Sequence, residues 1–226
     1  IVNRKIGAVT MSQNLFRNPD GSIRNVLENV EGIVFNENPL DFFIILARYK
    51  FGTRFIKKTH KVIDVGCGHG LGSVFLSKYA NEIIGVDLDK DLVETNNSNY
   101  KKIKNLQFKE FDLLKPSKSF VNKFDVVVSM DVIEHFKKNK LGTVVDSYYN
   151  LLNSDGFAII GTPNIASRPY ASQRRLDTHE FEFTRDEFEK TLLKKFKNVF
   201  IFSMTDEVVS TSFPNMAWFF IAICTK

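Results

Sequence analysis

Three stretches of the chain carry residue types at spacings that can do chemistry. The first is Val62-Ile63-Asp64-Val65-Gly66-Cys67-Gly68-His69-Gly70, an apolar run that ends in three glycines at alternate positions. Glycine there lets the backbone approach a ligand and turn without a Cβ clash. A phosphate-binding fingerprint would space its glycines G-x-G-x-x-G and set a pyrophosphate on a helix N-terminus, and the D-x-G-x-G-x-G spacing departs from that. The second is a series of carboxylates at the ends of apolar runs. Asp87, 21 residues after Gly66, falls where open α/β sheets bind a pair of ribose hydroxyls. Asp112 follows Phe111 in the same way, and taken alone it reads equally well as a turn residue. The third is Asp131-Val132-Ile133-Glu134-His135. Positions i, i+3 and i+4 of one helical turn share a face, so Asp131, Glu134 and His135 can converge there. Carboxylates with imidazole suit Mg²⁺, Mn²⁺ or a similar divalent ion, while a Glu-His pair without metal serves as fold support or as a general base. Thr178-His179-Glu180-Phe181-Glu182-Phe183-Thr184-Arg185 supplies a second histidine downstream of Gly161-Thr162-Pro163-Asn164.

The elements that must position these residues alternate along the chain. Lys61 to Val65, Glu82 to Asp87, Leu106 to Phe111, Phe124 to Met130 and Phe157 to Thr162 read as strands. Helical patterns fall near Gly70 to Tyr79, Asp89 to Tyr100, Lys138 to Leu152 and Thr184 to Phe196, the last opened by a Thr184/Glu187 capping box. Such alternation predicts an α/β fold with a mostly parallel sheet and helices on both faces. Val199 to Met204 and Met216 to Cys224 are expected to add a terminal antiparallel pair, for seven strands in all. Before this domain, 61–226, lies a segment 1–60: an irregular arm carrying Asn18-Pro19-Asp20-Gly21, then a helix starting at Asn38-Pro39 and running to about Phe55.

The acid-led glycine pattern resembles motif I of class I S-adenosylmethionine (SAM) methyltransferases, which have a Rossmann-like fold. The order of elements from Lys61 to Pro163 agrees with it. That resemblance implies a cofactor site built from Asp64, Gly66, Cys67, Gly68 and Gly70, with Asp87 on the ribose and Leu88 against the adenine. Asp112 would accept from the adenine amino group, with Leu113 beside it in the cofactor site, and Met130 would lie near the sulfonium. The acceptor-side segments look like metal-dependent methyltransferases of the 2′-hydroxyl at small-RNA 3′ ends, which hold one divalent cation with an E-x-x-E-H and a later D-H-x-F-E-W-T-R segment. Carried over, the ligands are Asp131, Glu134, His135 and His179, and either histidine, if not a ligand, takes the acceptor proton. Asp131 replaces the usual Glu, Thr178 an Asp and Phe183 a Trp, which puts Asp131 most in doubt because its reach is shorter. A polyprenyl-ring O-methyltransferase family shares the E-x-x-E-H segment. The motif therefore points to hydroxyl methylation more firmly than to RNA.

Tyr170 to Arg175 and the Ser210 to Pro214 loop are candidate acceptor walls. Tyr170, Arg174 and Arg175 are the candidate substrate residues, the arginines reading alternatively as solvated loop cations. The Asn38 to Phe55 helix and Asp206-Glu207-Val208-Val209 show a diffuse similarity to methyltransferases of bacterial surface-polysaccharide modification, including methyl phosphoramidate pathways. The expected reaction is SAM-dependent, metal-assisted O-methylation of a small polar acceptor, such as a sugar or a nucleotide-linked or phosphoryl intermediate. Methylation of an RNA 3′ end is second, and a SAM-binding protein without turnover third. A net charge of +5 from 31 basic and 26 acidic residues permits an anionic acceptor but forms no dedicated nucleic-acid surface. The longest apolar runs, Phe42 to Ala47 and Ala217 to Cys224, are too short to cross a bilayer, so no membrane partner is expected. Two cysteines, Cys67 and Cys224, make no disulfide framework, which points to a reducing, cytoplasmic setting. The chain does not begin with Met, and a removed leader stays open.

Overall fold

The computed structural model describes residues 39–226 apart from Ser212. The expected arm before Pro39, with its Asn18 to Gly21 turn and the Asn38 helix start, lies outside them, as does part of the Ser210 to Pro214 loop. Among the described residues the helix covers Pro39–Gly52 as α1 and ends three residues earlier than expected.

Valine and isoleucine dominate β1 (Lys61–Val65), β2 (Glu82–Asp87) and β4 (Phe124–Met130), with almost every side chain buried. Such continuous burial is what a parallel strand covered on both faces requires. With β3 (Leu106–Glu110), β5 (Leu152–Pro163), β6 (Asn198–Thr205), β7 (Val208–Ser210) and β8 (Phe219–Thr225) they form one sheet in the order β3-β2-β1-β4-β5-β8-β6-β7. The first five strands are parallel, and β8 runs antiparallel to both β5 and β6. This is the Rossmann-like methyltransferase fold with its antiparallel carboxyl-terminal strands. The strand count is eight rather than seven. A turn at Asp206, whose φ is 55°, folds the three-residue β7 back onto β6, and so short an edge strand leaves no periodicity to read. β5 also starts five residues before Phe157, because Asn153 to Gly156 bulge out of register between the Phe124–Leu152 and Val126–Phe157 pairs.

Helices cover both faces. Tyr49 of α1, Leu76 of α2 (Leu71–Ser77) and Val93 of α3 (Lys90–Asn99) pack on one side. Val144, Tyr148 and Leu151 of α4 (Leu141–Leu151) join Phe188 and Leu192 of α6 (Arg185–Leu193) on the other. The Thr184/Glu187 capping box of α6 is present as expected. A short α5 (Gln173–Thr178), capped by Ser172, occupies what the sequence suggested was a loop. β1 pairs with β2 on one side and β4 on the other. At this switch point successive connections leave in opposite directions and open a crevice beyond the carboxyl ends of the strands.

Candidate active site

Three glycines leave β1 with positive φ: Gly66 at 71°, Gly68 at 51° and Gly70 at 82°. A Cβ on Gly66 would overlap the Val132 side chain, and one on Gly70 would stand 2.8 Å from the Phe108 ring, so both mark close approaches. At Gly68 a Cβ would meet no atom within 4 Å, which identifies the face of the loop open to a ligand. Asp87 steadies this loop: Oδ2 accepts from the Gly68 amide at 2.9 Å and Oδ1 from the Asp89 amide at 3.0 Å. Asn96 donates to the Gly68 carbonyl at 2.7 Å.

Asp64 is fully buried within β1 and accepts from the Ser73 hydroxyl at 2.6 Å, while its Oδ1 meets no hydrogen-bond partner among the described residues. Burial pushes its carboxyl up to about 7, despite the Ser73 bond. A buried carboxylate oxygen without a partner fits a cationic group of a ligand, as the ammonium of a SAM methionine tail would supply. Asp112 accepts from the Leu114 amide at 2.8 Å, forming a local turn. Leu113, Cys67 and Met130 are buried, and Leu88 is 67% exposed at the mouth of the crevice. Burial drives the neighbouring His69 down to about 4, and the Arg174 charge adds to this.

On the acceptor side the chain brings three of the four expected metal residues together. Ligand atoms of Glu134, His135 and His179 all lie within 4.8 Å of one another. Asp131 is not among them. It precedes the short 3₁₀ turn Ile133–His135, holds a left-handed φ of 55°, and forms an ion pair with Arg48 of α1. The expected i, i+3, i+4 face therefore does not form, because no α-helical turn runs through Asp131.

The chemistry of the three converging residues can be tested against a cation. Glu134 is fully buried, its Oε2 accepts from the Thr162 hydroxyl at 3.1 Å, and its Oε1 has no hydrogen-bond partner among the described residues. Burial, and then the nearby Asp131 charge, push its pKa up. The Nδ1 of His135 lies 2.9 Å from the Thr178 carbonyl, and the Nδ1 of His179 lies 2.8 Å from Glu182 Oε1. Both oxygens only accept, so each Nδ1 carries the proton and each Nε2 offers a lone pair. Burial holds His179 below its ordinary pKa, against the opposing pull of Glu182, which favours the neutral ligand form. The Glu134 carbonyl accepts from the amides of Glu180 and Phe181, each at 3.0 Å, which ties the two histidine segments together. A divalent cation fits this donor set of one carboxylate and two imidazoles.

The other expected substrate residues divide. Tyr170 is 92% exposed and projects to solvent, and Arg174 is exposed beside the glycine loop. Arg175 does not face an acceptor, because its fork is engaged by Glu182 (2.7 Å), the Ser167 hydroxyl (2.9 Å) and the Asn164 carbonyl (3.2 Å). Sequence reasoning passed over Arg48, Thr162 and Glu182. Only Glu182 left a signal, an acid between two phenylalanines three residues after His179.

Cys67 and Cys224 are both buried, and neither forms a disulfide among the described residues. No helix among the described residues is long and apolar enough to cross a membrane.

Residues 62–156 match a methyltransferase domain family. Over 116 residues the chain is 30% identical to the ubiquinone biosynthesis O-methyltransferase of Pelagibacter ubique, a match covering 50% of this chain and 46% of that protein. The chain thus spans about half the length of that relative. Among solved structures it resembles a TehB-like SAM-dependent methyltransferase from Corynebacterium glutamicum, with a TM-score of 0.62 and 19% identity over 80% of this chain and 87% of that one. It also resembles the methyltransferase domain of bacterial CtHen1, with a TM-score of 0.60 and 24% identity over 85% of this chain and 100% of that one. The stretch 62–156, with its acid-led glycine loop at the β1 switch point, is thus similar to a methyltransferase domain, and the chain around it shares the fold of these solved methyltransferases.

Proposed function

We propose that the chain transfers the methyl group of SAM to a hydroxyl oxygen of a small polar acceptor, assisted by a divalent cation held by Glu134, His135 and His179. The observation that carries this reading is the buried Glu134 Oε1, left without a hydrogen-bond partner beside two imidazoles whose Nδ1 atoms are already committed. When bound, the cation would lower the pKa of the acceptor hydroxyl and fix its oxygen. The cofactor would be held by residues of the crevice. Asp64 faces the methionine ammonium, Asp87 keeps lone pairs for the ribose hydroxyls, and Asp112 with Leu113 borders the adenine. Val132 packs against Gly66, so the cofactor loop and the acceptor segment adjoin, as in-line transfer demands.

Oxygen as the accepting atom is supported by the O-methyltransferase relatives. A sugar, or a nucleotide-linked or phosphoryl intermediate of surface-polysaccharide modification, is the acceptor class proposed. A second reading, methylation of the 2′-hydroxyl at an RNA 3′ end, is favoured by one observation, the convergence of His135 with His179. The test is methyl transfer across a panel of nucleotides, sugars and short RNAs, before and after chelation. Chelation should abolish transfer while SAM binding by calorimetry persists. Full turnover after exhaustive chelation, with no metal found by elemental analysis, would overturn the metal-assisted reading.

A further inference from the structure

We infer that Glu182 is a positioning residue for the metal group, acting through His179 and itself held in place by Arg175. This rests on the metal reading above. Glu182 is buried between Phe181 and Phe183, and its Oε1 takes two donors, His179 Nδ1 at 2.8 Å and Arg175 Nε at 2.7 Å. The Arg168 guanidinium stands 3.7 Å from Oε2. A buried carboxylate surrounded by two guanidinium groups stays ionised, and an ionised carboxylate cannot donate. His179 therefore has one tautomer and one ring orientation available, with Nε2 directed away from Glu182. The ring meets that of His135 edge to face at 4.9 Å between centroids.

Arg175 links this clamp to the scaffold. Its two remaining contacts reach the Asn164 carbonyl and the Ser167 hydroxyl, just past the carboxyl end of β5, the strand that also supplies Thr162 to Glu134. His135 is held differently. Its Nδ1 partner is the carbonyl of Thr178, the last residue of α5, and no side-chain substitution removes that group. Of the two histidines' Nδ1 partners, the carboxylate behind His179 is thus the one that mutation can reach. Partners of this kind set ligand orientation and basicity, and their loss lowers metal affinity about 10- to 100-fold.

The experiment is a Mn²⁺ titration of the full chain followed by electron paramagnetic resonance, with SAM calorimetry and metal-free thermal unfolding on each variant. Glu182→Gln keeps the shape and removes the charge. It is expected to weaken Mn²⁺ about 10- to 100-fold, with SAM affinity unchanged. The deciding readout is the same substitution in a His179→Ala background. If Glu182 acts through His179, it causes no further loss there, whereas general support of the fold would weaken Mn²⁺ again and overturn the inference. Arg175→Lys, which keeps a cation but not the fork, is the second variant should Glu182→Gln not fold. It is expected to give a smaller loss, likewise absent without His179, and unchanged affinity would count against the clamp. Wild-type protein that binds no Mn²⁺ would overturn the metal reading and this inference together. Binding weakened by His179→Ala but not by Glu182→Gln would overturn the inference alone.

Discussion

Arg48 of α1 pairs with Asp131 at the carboxyl end of β4, 83 positions along the chain, while its guanidinium lies 3.8 Å over the Phe219 ring. The pair pins the first described helix to the switch point. It also commits Asp131 to α1, so the converging group of Glu134, His135 and His179 has one carboxylate. A left-handed turn at a single residue thus decides both how a helix docks and which acids converge with the two histidines.

A double-mutant cycle on Arg48→Ala and Asp131→Ala measures that pairing. The side chains are 14% and 35% exposed, so screening is partial and the coupling should lie at about 0.5–3 kcal/mol in thermal or urea unfolding. Strict additivity would mean that the contact contributes nothing to stability.

On the proposed reading Asp87 takes the ribose, and its carboxylate also bonds the Gly68 amide, so removing it should cost the cofactor twice over. We expect Asp87→Ala to weaken SAM binding tenfold or more, about 1.5–3 kcal/mol for charge-assisted bonds. A folded variant with unchanged affinity by calorimetry would remove Asp87 from the site.

The cofactor half of the site was legible because its chemistry is local. Asp64 to Gly70 is contiguous, and Asp87 and Asp112 end strands whose apolar runs are plain in the sequence. The acceptor half was legible only where one turn carries it, as in Glu134-His135. The orientation of His179 comes from Glu182 and Arg175, and the diversion of Asp131 comes from Arg48, contacts made by tertiary packing that no spacing encodes. Arg175 was misplaced for the same reason. A pair of adjacent arginines looks alike in sequence, yet on a six-residue helix only one of them turns inward to the end of β5.

Asp64 gives a pH dependence whose sign can be worked out. Its carboxyl lies at about 7 in the folded chain against 3.8 ordinarily, so between those values the folded protein binds more protons than the unfolded one. Its contribution to stability therefore declines as pH rises through that window and changes no further above about 7. SAM binding should follow the opposite course, strengthening as pH rises through about 7, because an ammonium needs the ionised carboxylate. Asp64→Asn should flatten the rise in affinity and leave the cofactor-free protein at least as stable at pH 8. A SAM affinity that is flat across pH 6–8 in the wild type would contradict this role.

Gly66 separates two costs that usually arrive together. Its φ of 71° strains any L residue, and an added Cβ would also overlap Val132. Gly66→Ala should therefore destabilise by more than the strain of about 1–2 kcal/mol expected for a left-handed L residue. Adding Val132→Ala should recover the excess but not the strain. If the second substitution recovers nothing, the close approach of the glycine loop to the acceptor segment is not what limits this position.

Salt response distinguishes the two acceptor readings. With the Arg175 fork engaged by Glu182, Ser167 and Asn164, and Arg168 3.7 Å from the Glu182 carboxylate, Arg174 is the exposed arginine of this segment left to meet an anion among the described residues. One or two contacts to a single-stranded phosphate backbone give a log–log salt slope of only about −0.7 to −1.4. A small anionic acceptor should accordingly show a shallow rise in KM between about 50 and 200 mM salt, with kcat unaffected. On the proposed reading Arg174→Ala should remove most of that rise, and calorimetry on the same variant separates this from an effect on SAM, since Arg174 also stands beside the glycine loop. An RNA tracked by several phosphates would instead lose affinity steeply over the same range. Efficient methylation of a short RNA that falls steeply with salt, and that disappears when periodate destroys the 3′-terminal diol, would place the RNA reading first.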